Sequence, residues 1–121
     1  MILIVDDDPA VRNSLKFSLE VEGFSVRTYS NGAELLREAR IPRHGCLVID
    51  YKLPEMSGLD LLTQLRHRQI ALPAILITTH PSAVLQARAA AAGVPLVEKP
   101  LLTDALLEGI HTALEGTSPG E

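Results

Sequence analysis

An alternating α/β fold is the architecture this sequence predicts, with a mostly parallel sheet and helices on both of its faces. Three observations carry it. Short apolar runs recur along the chain, at Ile2-Leu3-Ile4-Val5, Cys46-Leu47-Val48-Ile49, Ala74-Ile75-Leu76-Ile77 and Val94-Pro95-Leu96-Val97. Stretches with helical spacing of apolar residues separate them. The runs end in Asp6, Asp50, Thr78 and, one residue later, Glu98-Lys99, so that polar groups gather at strand carboxyl ends. In parallel α/β sheets that edge is where ligands bind.

The elements follow in order. Residues 2–6 read as a strand. Asp8 is a natural N-cap with Pro9 at the first helical position. Val11, Leu15 and Leu19 recur every fourth residue, and Gly23 suits the position just past the helix end. Residues 24–29 alternate as a strand near a sheet edge does. Ser30 or Asn31 caps a helix expected to run to about Arg40. Residues 45–50 form the third strand. Ser57 caps a helix with Leu59, Leu62 and Leu65 on one face. Residues 74–78 are the fourth strand, and an alanine-rich helix follows Pro81 and ends near Gly93. Residues 94–98 are the fifth strand. Thr103 is expected to cap a last helix with Leu106, Ile110, Ala113 and Leu114 on its inner face. One domain over residues 1–115 is expected, with 116–121 a flexible tail or the start of a linker.

Composition narrows the function. The chain has 121 residues, enough for one domain with a sizeable core. A net charge of −4 gives no nucleic-acid footprint, so no direct nucleic-acid binding is expected of this domain. No apolar stretch is long enough to span a bilayer. Asp6 to Asp8 interrupt the N-terminal apolar run before a signal peptide could form, so a cytoplasmic location without membrane contact is expected. The single cysteine, Cys46, lies inside a strand and reads as a small buried hydrophobe. No Gly-x-Gly-x-x-Gly or Gly-Lys-Ser/Thr phosphate loop is present, which removes the main support for nucleotide-binding readings.

The strand-end residues suggest a chemistry. Several carboxylates at one edge repel unless a cation lies between them. A hard divalent ion takes oxygen ligands, and Mg2+ uses one or two carboxylates. Asp6 or Asp7, with Asp50, would supply them if their strands are adjacent. An ionised carboxylate is also a competent nucleophile that can form an acyl phosphate. Phosphoryl transfer needs chiefly positioning and charge stabilisation, for which Thr78 offers a hydroxyl and Lys99 a compact cation.

The motifs Val5-Asp6-Asp7-Asp8, Ile49-Asp50, Leu53-Pro54-Glu55-Met56-Ser57-Gly58, Ile77-Thr78 and Glu98-Lys99-Pro100 together resemble the receiver domain of two-component response regulators, over residues 1 to about 115. Asp8-Pro9-Ala10-Val11-Arg12, Gly23-Phe24 and Thr78-x-His80 look most like receivers that precede a LuxR-type helix-turn-helix. The resemblance implies a flavodoxin-like receiver fold, with five parallel strands in the order 2-1-3-4-5 and five helices on both faces. It implies that Asp50 accepts a phosphoryl group from a sensor histidine kinase in a Mg2+-dependent reaction, with Mn2+ able to substitute. Asp6, Asp7, Asp50 and the main-chain carbonyl of Lys52 are the implied metal ligands. Thr78 is the implied switch hydroxyl and Lys99 the cation that contacts the phosphoryl group. Pro100 matches a proline whose preceding peptide is commonly cis in the family. A changed partner affinity or homodimer, through the face built from the fourth helix, fifth strand and fifth helix, would then control an output, expected to be transcription. The protein would be no enzyme beyond catalysing its own phosphorylation and dephosphorylation.

Two switch-region positions depart from the family pattern. Leu96 stands where Tyr or Phe is usual, and Thr79 where Ala or Gly is usual. Two other functions use some of the same residues. A haloacid-dehalogenase-type phosphohydrolase would use Asp6 and Asp8, but it leaves Asp50 unexplained and the chain has no room for a substrate cap. A phosphorylation-independent interaction module would not need the acid trio with Thr78 and Lys99.

Overall fold

The computed structural model describes residues 1–38, 40–99 and 103–115, the last of these by backbone alone at 103–105. Its elements run β1 (Ile2–Val5), α1 (Pro9–Val21), β2 (Val26–Tyr29), α2 (Gly32–Leu36), β3 (Cys46–Asp50), α3 (Gly58–His67), β4 (Ala74–Thr78), α4 (Ala83–Ala91), β5 (Leu96–Glu98) and α5 (Thr103–Glu115). The five strands form one sheet in the order β2-β1-β3-β4-β5, and every neighbouring pair is parallel. The order reverses between β1 and β3, which opens a crevice at their carboxyl ends.

Alternation along the strands builds two cores, because successive side chains point to opposite faces. Leu3, Val5, Leu47, Ile49 and Leu76 meet Leu35 of α2, Leu61, Leu62 and Leu65 of α3, and Leu85 and Ala89 of α4. Ile2, Ile4, Cys46, Val48, Ile75 and Ile77 meet Leu15 and Leu19 of α1 and Leu106 and Ile110 of α5. Each fully buried Leu or Ile contributes roughly 1.5–3 kcal/mol, so strands buried on both faces are the most strongly held part of the molecule. Burial also pushes the Cys46 thiol up to about 12, so it is inert inside β3.

Local signals act as the sequence predicts. The Asp8 side chain accepts from the amides of Ala10 and Val11, and Pro9 opens α1. Gly23 takes a φ of 98° just past the C-cap Glu22. Asn31, of the two candidates, caps α2. Ser57 and Asp60 form a reciprocal capping box on α3. Gly93 follows the end of α4 with a φ of 71°, and Ser82, which was not among the expected caps, opens that helix.

Several boundaries differ from expectation: β1 ends at Val5 rather than Asp6, β3 starts at Cys46 rather than Gly45, and four others follow. β2 starts at Val26, two residues late, because Phe24 and Gly23 close the end of α1, where the Phe24 amide donates to the Leu19 carbonyl. Helix α2 stops at Leu36 rather than near Arg40. Glu38 is engaged there by the Tyr29 hydroxyl, and the Arg40 carbonyl by Arg27, while Pro42 disfavours helix at Ile41. Strand β5 starts at Leu96 rather than Val94, since the Val94 amide closes the end of α4 on the Ala89 carbonyl and Pro95 has no amide hydrogen to give. Helix α5 includes Thr103 as its first residue, so Thr103 is within the helix and not its cap. Leu106 and Ile110 are buried, with Ala113 and Leu114 packed on the same core. Pro100 and the tail 116–121 lie outside the described residues.

Gly58 fixes where the crevice floor sits. Its amide donates to the Tyr51 carbonyl at 2.7 Å, which turns the loop after β3 back on itself. A Cβ at Gly58 would meet the Asp50 carbonyl oxygen at 2.6 Å, Leu76 Cδ2 at 2.9 Å and Ile49 Cγ2 at 3.0 Å. Two of those three neighbours belong to β3 itself, and one is main chain, so relief requires moving α3 away from β3. Gly58→Ala is expected to lower the unfolding free energy by about 1–3 kcal/mol, measured by urea denaturation. A value within about 0.5 kcal/mol of the unsubstituted chain would show that α3 can shift freely.

Candidate functional site

The crevice gathers the strand-end residues. Asp6 follows β1 and stays in the ladder, because its amide donates to the Tyr29 carbonyl at 3.1 Å. Its carboxylate is fully buried and turned into the crevice. Asp50 closes β3, which pairs with β1 through Ile2↔Cys46 to Val5↔Ile49, so the two acids come side by side. Lys99 follows β5, and its amide donates to the Thr78 carbonyl at 2.7 Å. That bond sets the lysine at the end of β4, next to Asp50.

Lys99 binds both buried acids. Its Nζ lies 3.2 Å from Asp6 Oδ2 and 3.1 Å from Asp50 Oδ2. The remaining oxygens take main-chain donors: Asp6 Oδ1 accepts from the Asp8 amide at 2.9 Å, and Asp50 Oδ1 from the Lys52 amide at 3.3 Å. Asp7 is exposed, yet a carboxylate oxygen from each of Asp6, Asp7 and Asp50 lies within 4.8 Å of the others. Thr78 is buried, and its Oγ1 accepts from the His80 amide at 3.2 Å. Thr79, exposed, lines the same crevice with Asp50, Lys52, Thr78 and Lys99.

The charges do not balance. Three clustered carboxylates face one ammonium, which leaves an excess of two negative charges among them. Burial raises the Asp50 pKa, and the Asp6 charge raises it further; Lys99 and the Lys52 amide oppose them without cancelling. For Lys99 burial works downward, but the Asp50 and Asp6 carboxylates outweigh it and hold the ammonium above its ordinary value. The donor set is all oxygen, which suits a hard divalent cation, and the residual charge of −2 equals what such an ion would neutralise.

The expected site residues therefore separate into three groups. Asp6, Asp7, Asp50 and Lys99 converge, with Lys52, Thr78 and Thr79 on the same crevice. Leu96 lies apart, in β5, half-buried against the core shared with α4. Pro100 is outside the described residues. Sequence reasoning gave no site role to three further residues. Gly58 was legible only as part of a motif. Arg12, whose Nη1 donates to the Asp6 carbonyl at 2.8 Å, and His80, on the crevice wall, were likewise legible only as parts of the motifs Asp8-Pro9-Ala10-Val11-Arg12 and Thr78-x-His80.

The Asp50 shift has a testable sign. Its folded pKa lies above the ordinary value of 3.8, so only the folded chain takes up the proton in the window just above 3.8. Ionised Asp50 therefore costs stability as pH rises through that window, and the cost persists at neutral pH. Without divalent metal, Asp50→Asn is expected to raise the melting temperature at pH 7. The gain should shrink as pH falls and vanish below 3.8. A lower melting temperature for Asp50→Asn at pH 7 would contradict this account of the crevice charge.

Comparison with known proteins agrees with this geometry. Residues 2–111 match the response regulator receiver domain family. The chain is 39% identical over 113 residues to the transcriptional regulatory protein FixJ of Rhizobium meliloti, covering 93% of this chain and 55% of that protein. It is 36% identical over 115 residues to the C4-dicarboxylate transport transcriptional regulatory protein DctD of Pseudomonas aeruginosa, covering 94% of this chain and 25% of that one. The chain thus spans little more than half, or less, of these relatives' lengths. A CheY-like receiver domain protein from Methanospirillum hungatei superposes with a TM-score of 0.84 at 32% identity, covering 95% of this chain and 93% of that chain. Full-length FixJ from B. japonicum gives 0.88 at 31% identity, covering 98% and 59%. With the family match spanning nearly the whole chain and the acids, hydroxyl and lysine converging on one crevice, this chain belongs to the response regulator receiver domain family.

Proposed function

We propose that the chain is a phosphorylation-controlled switch in which Asp50 accepts a phosphoryl group from a sensor histidine kinase. The observation that carries this reading is the double ion pair of Lys99 with Asp6 and Asp50, beside Asp7, at the topological switch point of the sheet. An Asp50 oxygen attacks phosphorus as the bond to the donor breaks, which leaves an acyl phosphate on Asp50 and the phosphoryl charge in the crevice. Mg2+, held by Asp6, Asp7, Asp50 and the Lys52 carbonyl, would neutralise charge on the transferring group, and Mn2+ can replace it. Lys99 is already in contact with the acceptor and can follow the new anionic oxygens. Thr78 can turn its hydroxyl from the His80 amide toward them. The chain needs no other chemistry, and its catalysis is confined to its own phosphorylation and dephosphorylation.

The added charge would bias α4, β5 and α5 toward a form with altered self-association or partner affinity. Transcription is the proposed output, because FixJ and DctD are described as transcriptional regulatory proteins. A LuxR-type output domain remains the version suggested by the Asp8-Pro9-Ala10-Val11-Arg12 and Thr78-x-His80 motifs. The proposed location is cytoplasmic; among the described residues no helix is long and apolar enough to cross a membrane. Direct binding to nucleic acid is left to other parts of such regulators, since this chain carries a net charge of −4.

The test is incubation with a small acyl phosphate, with and without Mg2+, followed by intact-mass analysis. A single phosphoryl group is expected, only with metal, and none on Asp50→Asn. Asp7→Ala should lose most of the rate and the metal dependence with it. The same samples in sedimentation velocity report self-association through α4, β5 and α5. Equal modification of Asp50→Asn rejects Asp50 as the acceptor, and an identical sedimentation profile before and after modification rejects the homodimer.

Thr79 narrows the approach to Asp50. It lines the crevice with Thr78 and Lys99, and its β-branched side chain has few rotamers with which to withdraw. Thr79→Ala is expected to speed phosphorylation by small donors several-fold, a change of under about 1.4 kcal/mol in barrier, with little change in Mg2+ affinity. Stopped-flow rates equal to or below those of the unsubstituted chain would discard the steric argument.

A further inference from the structure

Arg12 stands one turn into α1 and reaches back over the end of β1. Its Nη1 donates to the main-chain oxygen of Asp6 at 2.8 Å. That carbonyl belongs to the peptide joining Asp6 to Asp7, beyond Val5, where the paired register of β1 ends. The guanidinium therefore holds the peptide plane between two of the three clustered carboxylates. Neighbouring bonds fix the chain on either side of it. The Asp6 amide is tied to Tyr29, Asp6 Oδ1 takes the Asp8 amide at 2.9 Å, and Asp8 Oδ1 takes the Ala10 amide at 2.9 Å. Among the described residues Asp7 has no such side-chain anchor; it is exposed, and its direction follows from the peptides that flank it.

Glu34 of α2, fixed by the Ser30 hydroxyl and by the Ser30 amide at 2.6 Å, is near enough to feel the Arg12 charge. The contact that the guanidinium makes is the one to the Asp6 carbonyl. A planar fork with several donors suits this role better than a point charge.

We propose that Arg12 is a positioning residue for the metal site, which sets the Asp6–Asp7 peptide and so aims the Asp7 carboxylate at the space between Asp6 and Asp50. This rests on the metal reading given above. It deepens that reading by naming a residue that touches neither metal nor phosphoryl group. Two physical effects of Arg12 have opposite signs. Its positive charge repels a divalent cation, so a guanidinium acting through charge alone would weaken metal binding, and its removal would tighten it. A guanidinium that holds the ligand backbone has the reverse effect. Groups that orient metal ligands are typically worth 10- to 100-fold in affinity, and this one acts at the lower end because it reaches Asp7 through main chain.

The experiment is calorimetric titration of the whole chain with Mg2+, with melting temperature recorded for each variant. Arg12→Met removes the fork and the charge and is expected to bind Mg2+ on the order of tenfold more weakly. Arg12→Lys keeps the charge but not the planar fork, and an intermediate loss is expected. Arg27→Met is the control. Arg27 makes the same kind of bond, Nη1 to the Arg40 carbonyl at 2.9 Å, far along the chain from the acids. It is expected to lower melting temperature while leaving Mg2+ affinity unchanged. Equal or tighter binding by Arg12→Met overturns the proposal, as does an equal loss in Arg27→Met. If Arg12→Met does not fold, Arg12→Lys decides, and an affinity equal to that of the unsubstituted chain rejects the positioning role. Absence of Mg2+ uptake by the unsubstituted chain overturns the metal reading itself. Uptake that Arg12→Met retains overturns only this inference.

Discussion

Two buried carboxylates share one lysine, and the organisation of the crevice depends on that pairing. Asp6 is wholly inaccessible and Asp50 nearly so, yet both oxygens that face Lys99 lie close to 3 Å from its ammonium. A buried carboxylate left without a partner costs on the order of 3–5 kcal/mol. Lys99 therefore cannot leave either acid without a replacement. With Asp7 added, the site still carries more negative than positive charge. The crevice is thus held together by the lysine and strained by the acids, and Asp50 records the strain as a raised pKa.

The sheet makes such a site affordable. Strands buried on both faces supply far more apolar burial than the crevice costs. Parallel pairing then brings the ends of β1, β3, β4 and β5 to one edge, and the reversal of order between β1 and β3 leaves a gap there instead of a covering helix. Gly58 lets α3 start against the Asp50 carbonyl, which closes the gap on one side. Arg12 closes it on the other, from α1.

What was legible in the sequence follows from the range of the forces involved. The alternation of runs and helical stripes, the caps at Asp8 and Ser57, and the glycines at 23 and 93 are local signals and were readable. Asp6, Asp7, Asp50, Thr78 and Lys99 were readable as a set because strand ends in a parallel sheet must converge. The early end of α2 was not, since it depends on Tyr29 capturing Glu38 and Arg27 capturing the Arg40 carbonyl, both from another element. The short β5 was missed because Val94 serves the end of α4, a use that β propensity cannot reveal. Arg12 is legible as part of the Asp8-Pro9-Ala10-Val11-Arg12 motif, but its role shows only when the first turn of α1 is placed over the end of β1. Its contact joins the end of β1 to α1, and periodicity within one element does not reveal a contact between two.

The same geometry links the acceptor to the far edge of the sheet. Lys99 is bound twice, through its side chain to Asp50 and through its amide to the Thr78 carbonyl. The side chain of Lys99 is therefore the connection between the Asp50 carboxylate and the paired main chain of β4 and β5. Beside them, α4 is held by modest means: Leu85 and Ala89 are its buried residues, and Arg66 of α3 donates to the Ala92 carbonyl at its C-cap. The other α4 side chains from Ala83 to Ala91 are exposed. Ala89 buries little area, so the helix rests chiefly on Leu85 and one guanidinium bond. Leu96 packs on that same core without a polar tip to tether it. The helix next to the lysine–threonine connection is thus less anchored than α3, which buries Leu59, Leu61, Leu62 and Leu65, so a small displacement there meets less resistance in α4 than in α3.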